Sequence, residues 1–253
     1  MQEVPVRQLE NIQWLQREPL SDGISRITRY YFFKRVFDVT VTLWALILLL
    51  PSMLIVALLI RLDSPGPAIF KQERVGAVRK MRNGRIVWVI RTFSFYKFRT
   101  MRTDIDAKLH QQYMEAYISG DESKMSELQP DTKSAKSYKL NGDPRITRMG
   151  KLLRRLSLDE LPQLWNIIKG DMSLVGPRPP IPYEVEKYEN RHLGRLAALP
   201  GLTGLWQVSG RCETTFEEMV QLDLEYIEKQ SIWLDIKILL RTVPAVITAK
   251  GAG

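Results

Sequence analysis

Cysteine is almost absent from this chain, with Cys212 alone in 253 residues, and histidine is limited to His110 and His192. A lone cysteine excludes an internal disulfide, and these three side chains are too few for a Cys/His zinc site. Oxygen-ligated Mg²⁺ is the metal chemistry that the composition leaves open. The first 30 residues contain acids and no apolar core, so no cleavable signal peptide is expected there. Acidic residues are the scarcer charge: 37 Lys and Arg face 28 Asp and Glu, a net +9. That surplus calls for an anionic partner, and its sign alone does not choose among nucleic acid, a phosphorylated substrate and acidic lipid. A hydrophobic fraction of 45% is enough for a folded core and excludes a disordered chain.

Charge is missing altogether from Val39 to Ile60, 22 residues that would suffice to cross a hydrocarbon layer of roughly 30 Å as a helix. A buried core helix is the plainer alternative, but the run is apolar on all sides, which favours lipid. Both flanks are basic: Lys34 and Arg35 precede the run, and Arg61, Lys71 and Arg74 follow it. Cations hold a flank on the cytoplasmic side, and one crossing cannot satisfy two such flanks. Pro51, in mid-segment, lacks an N–H and kinks a helix, and the Ser52 hydroxyl can engage a freed carbonyl. The sequence therefore predicts a re-entrant helix–break–helix element over 34–63. It would follow a polar or interfacial segment (1–33) and precede a cytoplasmic interfacial domain (64–253).

Beyond the turn Asp63-Ser64-Pro65-Gly66-Pro67, two strands are expected around the turn at Arg82-Asn83-Gly84-Arg85. Residues 61–102 hold eleven basic side chains against Asp63 and Glu73, interleaved with aromatics. That mixture fits single-stranded nucleic acid, and directly after a membrane segment it fits lipid headgroups and a phosphorylated substrate more economically. Residues 103–140 read as a helix and a flexible connection. Thr214 and Glu217 suggest a capping box at the start of a helix. In the last stretch Trp233, Ile236, Leu240 and Val243 share one side, Asp235 and Lys237 lie elsewhere, and Pro244 is expected to break the helix. That side fits core packing and interfacial attachment equally. The fold class is α+β and mostly helical, with the re-entrant element, a small β-hairpin and amphipathic interfacial helices.

Residues 143–179 concentrate the chemistry. Ser157 with Glu160 has the spacing of a capping box, yet Pro162 would then fall where a helix needs its N–H. Starting the helix at Asp159 puts Pro162 in the first turn and the end near Gly170. Asp159 and Glu160 then sit at a helix start, which attracts phosphate. Two carboxylates there would repel an anion unless cations offset them. Arg145, Arg148, Arg154, Arg155 and Arg178 are close in sequence, and Mg²⁺ bridges carboxylate and phosphate oxygens. This is the composition of a phosphoryl-transfer site in which a carboxylate can act as nucleophile. A capped surface helix on a membrane-tethered scaffold or nucleic-acid-binding protein accounts for the same residues about as well.

Resemblance separates the two. SLDELPQLWNIIKGDMSLVGPRP, with YKFRTM at 96–101, DPRITRMG at 143–150 and PGLTGLWQVSGR at 200–211, resembles the bacterial sugar transferase family, the monotopic polyprenyl-phosphate glycosyl-1-phosphate transferases. The similarity runs from about Lys34 onward, and the sparse sequence before it resembles the short, exopolysaccharide-type members. It implies transfer of a sugar 1-phosphate from a UDP-sugar to undecaprenyl phosphate, with UMP released, at the cytoplasmic face of the bacterial inner membrane. Galactose or glucose is the sugar that this type suggests. Membrane lipids are then partners and nucleic acid is not, and a homo-oligomer stays open. Carried over by position, the family's acidic dyad is Asp159, nucleophile and Mg²⁺ neighbour, with Glu160 assisting. Arg154 and Arg178 fall on positions tied to phosphate or nucleotide binding, with Lys97, Arg99 and Arg145 further candidates. One departure is visible: many members carry Ser before Pro at the membrane break, and here Pro51 precedes Ser52.

Overall fold

The computed structural model describes residues 21–82, 85–102, 108–129, 145–209 and 214–247. Cys212 and the flexible connection expected before residue 140 lie outside them. The uncharged run sits inside one long helix, α1 (Ser21–Asp63, 43 residues). It begins well before Lys34, so the later part of the segment expected to be separate and polar is continuous with it. The expected break at Pro51 is corrected too, because the helix is assigned straight through it. Proline removes the N–H that would bond to Ile47 O, and the Ser52 hydroxyl donates instead to Leu49 O at 2.7 Å, so the freed carbonyl is not the one it engages.

The β-branched and aromatic strands form a hairpin, β1 (Ile69–Arg82) and β2 (Arg85–Phe98), antiparallel and in register from Ile69↔Phe98 to Arg82↔Arg85. Two short helices follow, α2 (Lys108–Ser119) and α3 (Glu122–Leu128), and then α4 (Arg148–Arg155), whose N-cap Thr147 accepts from Gly150 N at 2.9 Å. Next come α5 (Gln163–Lys169), the short strand β3 (Ser173–Val175), α6 (Pro182–Val185), β4 (Gly201–Thr203) and α7 (Leu205–Ser209). Two longer helices close the described chain, α8 (Phe216–Lys229) and α9 (Ile232–Ile247). The capping box of α8 is Thr215 with Glu218, one residue later than expected, and α9 runs through Pro244 instead of breaking there.

The main core draws on Phe93 and Phe95 of β2, Leu164 and Ile167 of α5, Leu174 and Val175 of β3, Tyr226 of α8 and Ile238 of α9. Phe37, Val41, Leu46 and Leu49 of α1 pack against it. Asp235, expected off the packed side of α9, is buried instead, because it is the anchor for the start of α1. Lys34 Nζ donates to it at 2.7 Å, Tyr30 donates at 3.1 Å, and the Tyr226 hydroxyl lies 2.8 Å from its other oxygen. Arg35 donates to the carbonyls of Ile167 and Ile168 at the end of α5, where a cation suits the helix dipole. Lys34 and Arg35 are therefore structural contacts as much as a flanking charge.

Candidate active site

The site forms where β2 passes under the turn between α4 and α5. Ser157 adopts a left-handed conformation (φ 55°), after which Leu158–Glu160 make a single 3-10 turn and Pro162 caps α5. Pro162 thus ends the tight turn and starts the helix, which stops at Gly170 (φ 82°), as its glycine suggests. Ser157 makes no side-chain cap bond, so Glu160 is not half of a capping box.

Asn166 fixes the height of this turn. Wholly buried in α5, it donates to Ser94 O at 2.6 Å and accepts from Tyr96 N at 3.2 Å, tying the helix to the β2 backbone beside Lys97. The sequence reading missed it, although a lone amide within the apolar run LWNII was the available signal.

Lys97 then reaches both acids, 2.9 Å from Glu160 Oε1 and 3.5 Å from Asp159 Oδ2. Arg178 reaches the same oxygen at longer range, with Nη1 3.9 Å from Glu160 Oε1. Asp159 is buried and Glu160 is a quarter exposed, so the adjacent carboxylates differ in environment. Two cations offset two carboxylates, and the repulsion that an incoming phosphate would otherwise meet is cancelled.

Arg178 is placed by a close crossing of two backbones. Residues 173–176 run parallel to 201–203, with Gly176 N donating to Thr203 O and Gly201 N to Pro177 O, both at 2.9 Å. A Cβ on Gly176 would fall 2.2 Å from Leu199 O, and one on Gly201 2.1 Å from Gly176 N. This contact gives both GPRP and PGLTG their glycines and holds Arg178 between Pro177 and Pro179.

The other expected cations are placed differently. Arg99 is buried with its guanidinium on the end of α1, donating to Pro65 O at 2.5 Å and to Ser64 O at 2.7 Å. Of the residues expected at phosphate, it is the one that the fold commits to another task. Arg154 is half-buried on the last turn of α4, which packs on the dyad turn. Arg145 lies on the strip where Ile146 bridges Met101, its carbonyl accepting from Arg102 N.

Among the described residues no group of three or more His, Cys, Asp or Glu could hold a metal. An all-protein metal cage is therefore not built here. The dyad does fit the Mg²⁺ pattern of one or two carboxylates completed by substrate phosphates.

The site is thus a polar turn with two carboxylates within reach of two cations, beside a long helix with an apolar outer face. The chain belongs to the bacterial sugar transferase family, whose family model matches residues 29–249. Among curated relatives it is 44% identical over 220 residues to the galactosyl transferase CpsE of Streptococcus agalactiae, covering 87% of this chain and 43% of that one. It is 39% identical over 221 residues to the undecaprenyl-phosphate galactose phosphotransferase of Salmonella typhimurium, covering 87% and 42%. The exopolysaccharide production protein ExoY of Sinorhizobium fredii is 38% identical over 219 residues, with 87% of each chain covered. The chain thus spans less than half the length of the first two.

Proposed function

We propose that this chain transfers a sugar 1-phosphate from a UDP-sugar to undecaprenyl phosphate, giving undecaprenyl-diphosphate-sugar and UMP, as the first membrane step of exopolysaccharide assembly. The observation that carries the reading is Lys97 shared between Asp159 and Glu160, with Arg178 also in reach of Glu160. Asp159 is the nucleophile. Its carboxylate oxygen bonds to the sugar-bearing phosphorus, the bond to the UMP oxygen breaks, and UMP leaves with the electron pair. A phosphate oxygen of the lipid acceptor then attacks the same phosphorus and returns the carboxylate. Glu160 positions Lys97, while Arg178, Arg154 and Arg145 contact phosphate. Mg²⁺, held by Asp159 and phosphate oxygens, would supply further charge neutralisation. Relatives named for galactose and for glucose support a hexose as the sugar, such as the UDP-glucose:undecaprenyl-phosphate glucose-1-phosphate transferase of Caulobacter vibrioides.

The way α1 is held supports a membrane placement. One hairpin touches both of its ends. Near the start, Tyr31 stacks edge-on against Trp88 at 5.5 Å and lies under the Arg79 guanidinium at 4.3 Å. Near the finish, Ile60 packs with Phe98, and Arg99 holds Ser64. Between them Ile47, Leu48, Leu50, Leu54 and Ile55 are exposed while Leu46, Leu49 and Val56 pack inward, so the helix lies along the protein and presents one apolar outer face. A ribbon bearing Lys71, Arg74, Arg79 and Arg91 cannot traverse lipid to follow a crossing helix. That face beds into the cytoplasmic leaflet of the inner membrane and both ends stay on the cytoplasmic side. Exposed Trp233, Leu240 and Val243 of α9 extend the lipid-facing surface.

Two experiments test this. Purified protein with undecaprenyl phosphate and a panel of UDP-sugars should release UMP with one hexose donor, and no release from any member of the panel refutes the activity. For the topology, Arg29→Cys and Arg61→Cys in a Cys212→Ser background should both react with a reagent confined to the cytoplasmic side. Labelling from opposite faces refutes the re-entrant placement.

A further inference from the structure

The hairpin face that carries Lys97 continues onto the neighbouring strand, where two further side chains border the site. The register sets Phe70 opposite Lys97, Gln72 opposite Phe95 and Arg74 opposite Phe93, so these six side chains share one face. Their contacts agree: Lys97 Nζ lies 5.6 Å from the centroid of the Phe95 ring, and the Arg74 guanidinium lies 5.2 Å from it. On β2 the row is buried at Phe93 and Phe95 and ends at the dyad with Lys97. On β1 it starts beside Lys97 with Phe70 and ends with Arg74, which donates at 3.0 Å to the carbonyl of Pro179, the residue after Arg178. Phe70 and Gln72 therefore lie along the edge that joins the two cations of the site.

Packing does not account for either residue. Phe70 is 42% exposed and belongs to none of the hydrophobic clusters of the described residues. Its Cβ stands about 5 Å from that of Lys97, the spacing of directly paired strand residues. Gln72 is half-buried, and its amide has a fixed orientation. A guanidinium only donates, so the amide oxygen is the atom that meets Arg74 Nη2, at 2.9 Å. Nε2 then turns away from Arg74 and brings two N–H donors to the edge of the site.

An open aromatic ring and an oriented pair of donors about 7 Å apart along a strand suit a pyranose, which offers C–H groups on its faces and hydroxyls around its rim. Attack by Asp159 on the sugar-bearing phosphorus keeps the sugar one phosphate nearer the dyad than the uridine. We infer that Phe70 and Gln72 form the subsite for the hexose of the donor, with the sugar ring stacked on Phe70 and one of its hydroxyls accepting from Gln72 Nε2. The inference rests on the reading of the dyad as the place of sugar-phosphate transfer, and it names the side chains that read the sugar.

Equilibrium binding of radiolabelled UDP, UDP-galactose and UDP-glucose tests it, with Asp159→Asn in every protein to prevent turnover. The parent is compared with Phe70→Leu, Phe70→Tyr and Gln72→Met. Expected is a loss of about tenfold in affinity for the preferred nucleotide sugar in Phe70→Leu and in Gln72→Met, with UDP bound within about twofold of the parent. Phe70→Tyr, which keeps the ring, should stay within about threefold for both ligands. A loss for UDP that matches the loss for the nucleotide sugar overturns the inference, as does an unchanged affinity for the sugar donor in both variants or a parent that binds neither nucleotide sugar. If a variant does not fold, Phe70→Met or Gln72→Leu is read by the same criteria. In proteins that retain Asp159, UMP release without lipid acceptor distinguishes sugar from lipid. Phe70→Leu should slow that step, and an unchanged step followed by slower transfer to undecaprenyl phosphate would give Phe70 to the acceptor and overturn the inference. Sugar-selective binding without UMP release by wild type contradicts only the transferase reading, and UMP release with sugar affinity unchanged in both variants contradicts only the subsite.

Discussion

Arg99 offers a sharp separation of fold from chemistry. It lies in YKFRTM two residues from Lys97, and by sequence the two are equivalent phosphate ligands, yet its guanidinium closes the end of α1. It donates to Ser64 O and Pro65 O, and Ile60 O lies within 3.4 Å. Gly66 makes room for it: with φ at 114°, a Cβ there would fall 2.3 Å from Arg99 Nη1. Arg99→Met keeps much of the side-chain volume and removes every donor. Three carbonyls at a helix end then depend on water, at about 1 kcal/mol each, for a total on the order of 3 kcal/mol. For a domain of this size that corresponds to a loss of roughly 6–12 °C in Tm. Thermal melting in detergent followed by tryptophan fluorescence measures the loss, and UMP release below the transition measures kcat/KM. The expected outcome is the lowered Tm with kcat/KM within about threefold of wild type. A variant as stable as wild type but crippled in turnover would refute the structural role and restore Arg99 to the phosphate site.

Lys97→Met is expected to do the opposite. With an ammonium 2.9 Å and 3.5 Å from two carboxylates removed, kcat/KM for UMP release should fall by about 10²–10³-fold, some 3–4 kcal/mol, and a loss under threefold would count against Lys97. Asp223 gives a pH signature. Burial lifts its carboxyl to about 6 against the pull of Arg195. A carboxyl raised in the folded state contributes stability that is complete below its unfolded value near 4 and lost as pH rises through about 6. The stability of wild type relative to D223N should therefore decline by about 2–3 kcal/mol between pH 4 and pH 7 in denaturant titrations. A constant or rising difference would contradict the assignment.

Local signals carried much of this architecture. Asn83-Gly84 between runs of β-branched and aromatic residues places the hairpin turn, and the strands pair on either side of it. Pro162 and Gly170 mark the start and stop of α5 because each restricts backbone geometry by its own chemistry. The proline rule was less informative at Pro51 and Pro244. Both prolines sit within continuous helices, each at the cost of one backbone hydrogen bond. Asp235 was legible as a charge but not as a buried one, because its partners Lys34 and Tyr30 lie some 200 residues away. The same holds at the site: Asp159, Glu160, Lys97 and Arg178 were nameable from motifs, whereas the partners of Asn166, Ser94 and Tyr96, lie some 70 residues away and only its lone amide in an apolar run marked it.

The central claim is that Asp159 carries the sugar phosphate. Incubating the protein with a donor labelled in the sugar-bearing phosphate, without lipid acceptor, should leave label on wild type, release an equivalent amount of UMP, and place the label on Asp159 by peptide mapping, with none retained by Asp159→Asn. Full transfer to undecaprenyl phosphate by Asp159→Asn, or turnover by wild type with no labelled protein at any time, would contradict the account.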